Sequence, residues 1–208
     1  MFDARWGDIE PTHRAFVDRF LAMLPPGGRV LDAACGTGKY FPMVLAGGRS
    51  LLGVDHAGAY LAKAAEKFPD VPTEEVDLQG LEFTEEFHGV MCVDAMEFVP
   101  PEDWPGILER FHRALHRGGW LYLTVELQPD EVLRAGYEDA QRAGFPVVER
   151  EIIWKEPDGD LYHYYPRIAE VRAWLRGAGF EIEKEAEGPW DDGQYAYHHV
   201  LARRRTPN

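Results

Sequence analysis

Five short apolar runs alternate with helical stretches along this chain, and that alternation leaves it few folds. RVLDAA, SLLGVD, VPTEEVD, FHGVMCVD and WLYLTVE read as strands. Between them KYFPMVLAG, AGAYLAKAAEKF and PEDWPGILERFHRALHRGG read as helices. Strands that alternate with helices build a parallel sheet covered on both faces. THRAFVDRFLAML precedes them as an amphipathic helix, with Phe16, Phe20 and Leu24 on one side, Thr12 as N-cap and Pro25-Pro26 as its stop.

After Glu126 the pattern changes. PDEVLRAGYEDAQRAG reads as a helix, and FPVVEREIIWKEPDGDLYHYYP as two strands about a Pro157-Asp158-Gly159 turn. PRIAEVRAWLRGAG is a helix with Ile168, Val171 and Leu175 on one face, and FEIEKEAEG and QYAYHHVLARRR are two closing strands. The 208 residues contain no repeat, low-complexity tract or linker. One domain over 1–208 is therefore expected, with an N-terminal helix at about 12–24 and an inserted helix and hairpin at about 127–165.

LDAACGTGKY ends the first parallel strand. In open parallel sheets ligands bind beyond the carboxyl ends of the strands, where strand order reverses. Gly36 and Gly38 let the backbone turn tightly and let a ligand approach it. Amides at the next helix start can point at a carboxylate or phosphate. A P-loop requires GxxxxGK followed by Ser or Thr; here Gly38-Lys39 precedes Tyr40, and Ala33 holds the earlier glycine position. A dinucleotide fingerprint begun at Gly36 needs a third glycine where Phe41 stands. The remaining candidate is an adenosine ligand bearing an amino acid. Asp55 supports it, closing the second strand about 20 residues past the glycine turn, where an acid pairs ribose hydroxyls. Asp77 ends the third strand, where an acid can accept from an adenine amino group. Asp32, Asp55, Asp77 and Asp94 thus all end strands on one rim.

Lys plus Arg total 22 against 36 Asp plus Glu, a net charge of -14. That field repels nucleic acid and anionic membranes and favours a small cationic or neutral partner, although acidity also serves solubility alone. No apolar run approaches the ~20 residues of a membrane span. MFDARWGDIE is not a secretory leader, and two cysteines, Cys35 and Cys92, build no disulfide framework, so a reducing cytoplasm is expected.

In order, these motifs resemble the class I S-adenosylmethionine-dependent methyltransferases. VLDAACGTGKY resembles that family's first motif, GVDHAGAYLAKA its second-strand acid and helix, and EEVDLQ its adenine contact. VMCVDAMEFVPPEDW resembles the fourth-strand exit, LHRGGWLYLTVE the turn into the fifth strand, and YYPRIAEVRAWLRGAGFEI the late helix and strand. The resemblance implies a Rossmann-like three-layer α/β sandwich with a seven-stranded, mostly parallel sheet and YAYHHVLARRR as its antiparallel last strand. It implies S-adenosyl-L-methionine as cofactor. Gly36 and Gly38 would lie under its methionine part, with Asp32, Ala33 and Cys35 nearby. Asp55 and His56 would take the ribose, Asp77 and Leu78 would frame the adenine, and Asp94 and Ala95 would border the methionine. Methyl transfer is then an in-line displacement in which the protein chiefly aligns donor and acceptor; a base is needed only if the acceptor must lose a proton. A small-molecule methyl acceptor is expected, with no nucleic acid and no membrane as partner. The alternative is a non-catalytic sensor or scaffold that binds S-adenosylmethionine or S-adenosylhomocysteine; a nicotinamide oxidoreductase is disfavoured by Phe41. Two departures stand out. Many small-molecule members carry His where this chain has Phe98, and DAMEF replaces the N-P-P-Y of members that methylate nitrogen on bases or glutamine.

The insertion is expected to wall the acceptor. His163 is the candidate base, with a buried or surface hydrogen-bonded histidine as the plainer reading. Alternation along DLYHYYP puts Leu161, His163 and Tyr165 on one face and Tyr162 and Tyr164 on the other. With Trp154, the tyrosines Tyr162, Tyr164 and Tyr165 either line an aromatic pocket or simply pack the hairpin. Arg5 and Trp6 sit where such folds close a lid, or belong to a frayed terminus. No metal is expected. His112 and His116 lack an acid between them and fall in a helix's last turn, and His198 and His199 point to opposite faces of a strand. Cys35 and Cys92 read as small buried thiols and Asp191-Asp192-Gly193 as a turn.

Overall fold

The computed structural model describes residues 8–156, 159–190 and 195–205. Helix α1 (Pro11–Met23) leads into β1 (Arg29–Ala33), α2 (Phe41–Ala46), β2 (Ser50–Asp55), α3 (Gly58–Lys67), β3 (Thr73–Glu75), β4 (Phe87–Cys92), α4 (Trp104–Ala114) and β5 (Leu115–Leu127). Helix α5 (Asp130–Arg142) and a separate hairpin of β6 (Glu151–Glu156) and β7 (Gly159–Tyr164) follow. Helix α6 (Ile168–Gly177), β8 (Phe180–Trp190) and β9 (Tyr195–Arg204) complete the fold.

Seven strands form one sheet in the order β3-β2-β1-β4-β5-β9-β8. The first five run parallel, and β9 is antiparallel to both its neighbours. This is the Rossmann-like α/β sandwich with its last strand reversed. The central strands are apolar on both sides because helices cover both faces. Leu31, Ala33, Leu121, Leu123 and Val125 pack toward α4 and α6. Val30, Met91, Tyr122 and Leu201 pack toward α1, α2 and α3, against Phe16, Phe20, Phe41 and Leu61. The chain steps from β1 out to β3 and then crosses back to β4, so strand order reverses at β1/β4 and a crevice opens there.

Close packing makes one β4 position intolerant. A Cβ added at Gly89 would stand 2.5 Å from Phe20 Cζ and 2.9 Å from Leu24 Cδ1. Phe20 is fully buried and has no room to yield. Gly89→Ala is expected to cost about 1–3 kcal/mol. Chemical denaturation reads the loss, and an unchanged midpoint would show that α1 slides freely over the sheet.

Several boundaries differ from those the sequence predicts. Glu10, not Thr12, precedes α1, because Pro11 takes its first turn, where a fixed φ and a missing N–H cost nothing. Helix α4 ends at Ala114 rather than at the glycines, since Leu115 already pairs with Phe87 and β5 begins with an irregular register before Trp120. His116 therefore lies outside the helix, its ring 4.6 Å from that of His88. Strands β3 and β4 stop two residues short of Asp77 and Asp94, which sit in the turns that follow. Among the described residues no helix is long and apolar enough to cross a membrane.

Candidate functional site

Beyond β1 the chain enters a loop in which Ala34, Gly36 and Gly38 have φ of 64°, 55° and 80°. A Cβ at Gly38 would meet the Phe41 ring at 2.8 Å, so this glycine also serves packing. A Cβ at Gly36 would meet nothing within 4 Å, so the bare backbone there faces open space. The Gly36 N–H donates to Asp55 Oδ2 at 2.8 Å, and the Ala57 N–H donates to Asp55 Oδ1 at 2.8 Å. Each carboxylate oxygen keeps a second lone pair. The end of β2 is thus locked to the glycine loop, with its acid oriented before any ligand arrives. A clear backbone face beside a fixed, acceptor-rich carboxylate fits an adenosine bearing an amino acid.

Asp32 lies next to last in β1 and is buried, and its Oδ2 has no partner among the described residues. Burial first, and the charge of Asp55 second, push its carboxyl up to about 7. Asp94 has a φ of 53°. Its N–H donates to Thr124 Oγ1 at 2.8 Å, its Oδ1 lies 3.1 Å from His13 Nε2, and Lys39 Nζ stands 3.9 Å from its Oδ2. Helix α1 therefore reaches the rim through His13.

The other predicted cofactor residues sit around this loop. His56 is exposed, with Nδ1 3.7 Å from Asp55 Oδ1. Asp77 accepts the Gln79 N–H at 3.2 Å and caps the short turn that holds Leu78. Ala33, Leu78 and Ala95 are buried. The Cys35 thiol packs into the core with Phe41; burial, then the charges of Asp32 and Asp55, raise its pKa and leave it inert.

A second set of polar groups gathers where the hairpin meets the ends of β4 and β5. Glu97 is 4% exposed, and its Oε2 has no partner among the described residues. Glu126 Oε2 lies 3.5 Å from His163 Nδ1. The Tyr165 hydroxyl accepts the Trp154 Nε1–H at 2.9 Å, lies 2.9 Å from His163 Nδ1 and donates to Glu126. A phenol has one proton to give. With that proton on Glu126, His163 must donate from Nδ1, and the lone pair then falls on Nε2. That atom is buried and has no partner among the described residues. Burial holds His163 down at about 4, so its ring is neutral at pH 7. Burial also pushes Glu126 up to about 7; burial, then Glu126 and Asp94, raise Glu97 well above the usual carboxyl range.

The sequence places Tyr165 on one face of the hairpin and Tyr162 and Tyr164 on the other, and the structure keeps that division. Tyr164 is in the main core, ring centroid 6.5 Å from that of Trp104. Tyr162 donates to Glu151 Oε1 at 2.7 Å. Trp154 and Tyr165 pack with Leu133 and Ile152 in a small core under α5. Alternation along β7 sends neighbouring residues to opposite faces, so no single wall forms. Arg5, Trp6, Asp191, Asp192 and Gly193 lie outside the described residues. Glu126 carried a legible signal, an acid at the end of an apolar strand. His13 showed as a polar residue on the apolar face of α1. Glu97 and Lys39 gave none, because their burial depends on distant elements.

A family model for a methyltransferase domain matches residues 30–119. A ubiquinone biosynthesis O-methyltransferase from Pseudomonas fluorescens is 25% identical over 85% of this chain and 73% of its own length. A tRNA U34 carboxymethyltransferase from Pseudomonas aeruginosa is 29% identical over 74% of this chain, which spans 45% of that relative. Among solved structures, an S-adenosylmethionine-dependent methyltransferase from Methanosarcina mazei superposes with a TM-score of 0.77 at 19% identity, over 96% of this chain and 100% of its own. A 1,6-didemethyltoxoflavin-N1-methyltransferase from Burkholderia thailandensis, solved with its substrate and S-adenosylhomocysteine, superposes with a TM-score of 0.73 at 20% identity, over 98% of this chain and 83% of its own. With the strand-end motifs in order, a methyltransferase domain matched over residues 30–119 and a fold shared with solved S-adenosylmethionine-dependent methyltransferases, the chain carries a methyltransferase domain on that fold.

Proposed function

We propose that this enzyme methylates a small molecule, with residues 127–165 as a cap over the acceptor. The observation that carries the reading is the hairpin seated on the strand ends, with Glu126 Oε2 3.5 Å from His163 and the rings of Phe98 and His163 4.7 Å apart. A roof packed that closely leaves room for a compact acceptor rather than a folded polynucleotide. The net charge of -14 points the same way. The ubiquinone O-methyltransferase and the N1-methyltransferase among its relatives, named for small-molecule chemistry, support it.

When bound, S-adenosylmethionine supplies an electrophilic methyl group. Asp55, fixed by two backbone amides, accepts from the ribose hydroxyls, with His56 beside it. Gly36 and Gly38 present bare backbone to the methionine part, with Asp32, Ala33 and Cys35 behind them and Asp94 and Ala95 at its border. Asp77 and Leu78 frame the adenine. His163 keeps a buried, unprotonated Nε2 and takes a proton there when the acceptor must lose one. Trp154 and Tyr165 fix its tautomer rather than touch the acceptor.

A transfer screen with labelled S-adenosylmethionine, set against pooled small aromatic molecules and against total tRNA, tests the substrate class. Label is expected in low-mass product; label in tRNA would overturn the reading. For the acceptor so found, His163→Gln is expected to lower kcat about 100-fold. The KM for S-adenosylmethionine should stay within about twofold, as expected for a group away from the cofactor. An unchanged kcat would remove His163 from the base role.

A further inference from the structure

Glu97 is the buried group whose placement the cofactor does not explain. It lies in the turn after β4, buried, with Oε2 unpartnered among the described residues. The like charges that bear on it are Glu126 and then Asp94. Asp94 already faces His13 and Lys39. No lysine or arginine among the described residues pairs with Glu97 or Glu126. Glu126 accepts from Gln128 at 3.3 Å and from Tyr165, neither of them charged. A buried carboxylate oxygen left without a donor, as Glu97 Oε2 is among the described residues, marks a place where a ligand's donor belongs.

The next residue adds an independent mark. Phe98 is 46% exposed although its neighbours Met96 and Val99 are buried. Its ring and that of His163 form an edge-to-face pair with centroids 4.7 Å apart, which puts it beside the His163–Glu126 contact. An aromatic face left open beside buried carboxyls is the arrangement that takes a flat, cationic molecule: the ring offers stacking and cation–π attraction, and the acids offer charge-assisted bonds.

We propose that the methyl acceptor is a small aromatic molecule carrying a cationic, hydrogen-bond-donating nitrogen, which Glu97 and Glu126 hold while Phe98 covers its ring. This rests on the small-molecule reading above. The nitrogen is an anchor, and the atom that receives the methyl group need not be the same one. An ammonium or amidinium supplies donors to both carboxyls, and its single positive charge balances a pair that keeps one proton between them. A carboxylate-bearing acceptor meets repulsion there, and a neutral alcohol offers a single donor.

The test is calorimetry on the full chain saturated with S-adenosylhomocysteine, using benzylamine, benzyl alcohol and benzoate as probes of similar shape. Benzylamine, protonated at pH 7, is expected to bind about tenfold more tightly than benzyl alcohol, and benzoate weakest. Glu97→Gln and Glu126→Gln should each erase that preference. Affinity for S-adenosylhomocysteine in the same variants should move by less than about threefold, far below a tenfold effect. Equal binding of the three probes, preference for benzoate, or no binding by any while S-adenosylhomocysteine binds, overturns the proposal. A Glu97→Gln variant that loses S-adenosylhomocysteine also overturns it, by assigning Glu97 to the cofactor. The wild-type series needs no variant, so a misfolded mutant still leaves the proposal open to refutation. Label entering tRNA in the transfer screen would instead fail the underlying reading, so the two failures are distinguishable.

Discussion

Asp55→Ala is expected to weaken binding of S-adenosylmethionine and S-adenosylhomocysteine at least 100-fold. The carboxylate has two jobs. It accepts the Gly36 and Ala57 amides, each at 2.8 Å, and so holds the glycine loop against the end of β2. In the proposed cofactor site it also offers its remaining lone pairs to the ribose diol. Hydrogen bonds to a charged group are worth about 1.5–3 kcal/mol each, so losing two from the diol removes roughly 3–6 kcal/mol, or 10²–10⁴ in affinity. Loss of the clamp adds to this, because Gly36 must then be held at positive φ by the ligand itself. Asp55→Asn retains one oxygen and should fall between wild type and alanine. Asp77→Ala makes a useful contrast, since that side chain caps an exposed turn and its loss costs on the order of 1 kcal/mol. Titration calorimetry decides: Asp55→Ala binding within threefold of wild type would sink the ribose assignment.

Asp32→Asn is expected to stabilise the ligand-free protein at pH 8 while impairing cofactor binding. Asp32 is buried in β1 with one oxygen unpartnered, and its carboxyl is held at about 7 against a usual value near 3.8. The folded chain therefore binds this proton more tightly than the unfolded chain. Stability from this group is full below about 3.8, falls as pH rises toward 7, and is flat above. The ionised carboxylate costs the fold about 2–4 kcal/mol at pH 8. A neutral amide removes that cost, less whatever its own unpaired N–H groups lose. A net gain of about 2 kcal/mol corresponds to a melting point roughly 4–8 °C higher in a chain of this size. At pH 4 the gain should vanish, since Asp32 is then protonated in the folded wild type. A lower melting point at pH 8 would mean that the charge is already compensated. Such a cost is the expected mark of a group kept for a cationic ligand rather than for the fold.

Local pattern was enough for much of this. Alternating apolar strands and helices dictate a parallel sheet, and LDAACGTG reads as its ligand turn because residues that small after a buried strand serve little else. Asp55 was legible because an acid at that distance from the turn falls on the same rim. The pattern failed where an element's end is set by a neighbour. Helix α4 stops at Ala114 because Leu115 pairs with Phe87, a partner 28 residues away. The period of two along the hairpin separates Tyr164 from Tyr165, and the structure keeps them apart, but that one enters the main core and the other a small one depends on how the hairpin seats.

The layers and the glycine loop at the end of β1 could be read from the chain alone, because periods of two and of three to four residues report which face of an element is buried. Only the tertiary structure decided which polar groups meet. His13 reaches Asp94 across 81 residues, and His163, near the end of the insertion, comes within 3.5 Å of Glu126, just before its start. Periodicity carries no information about such pairs: they follow from sheet order and from how the hairpin seats on the strand ends, and both are settled by packing between elements far apart in the chain.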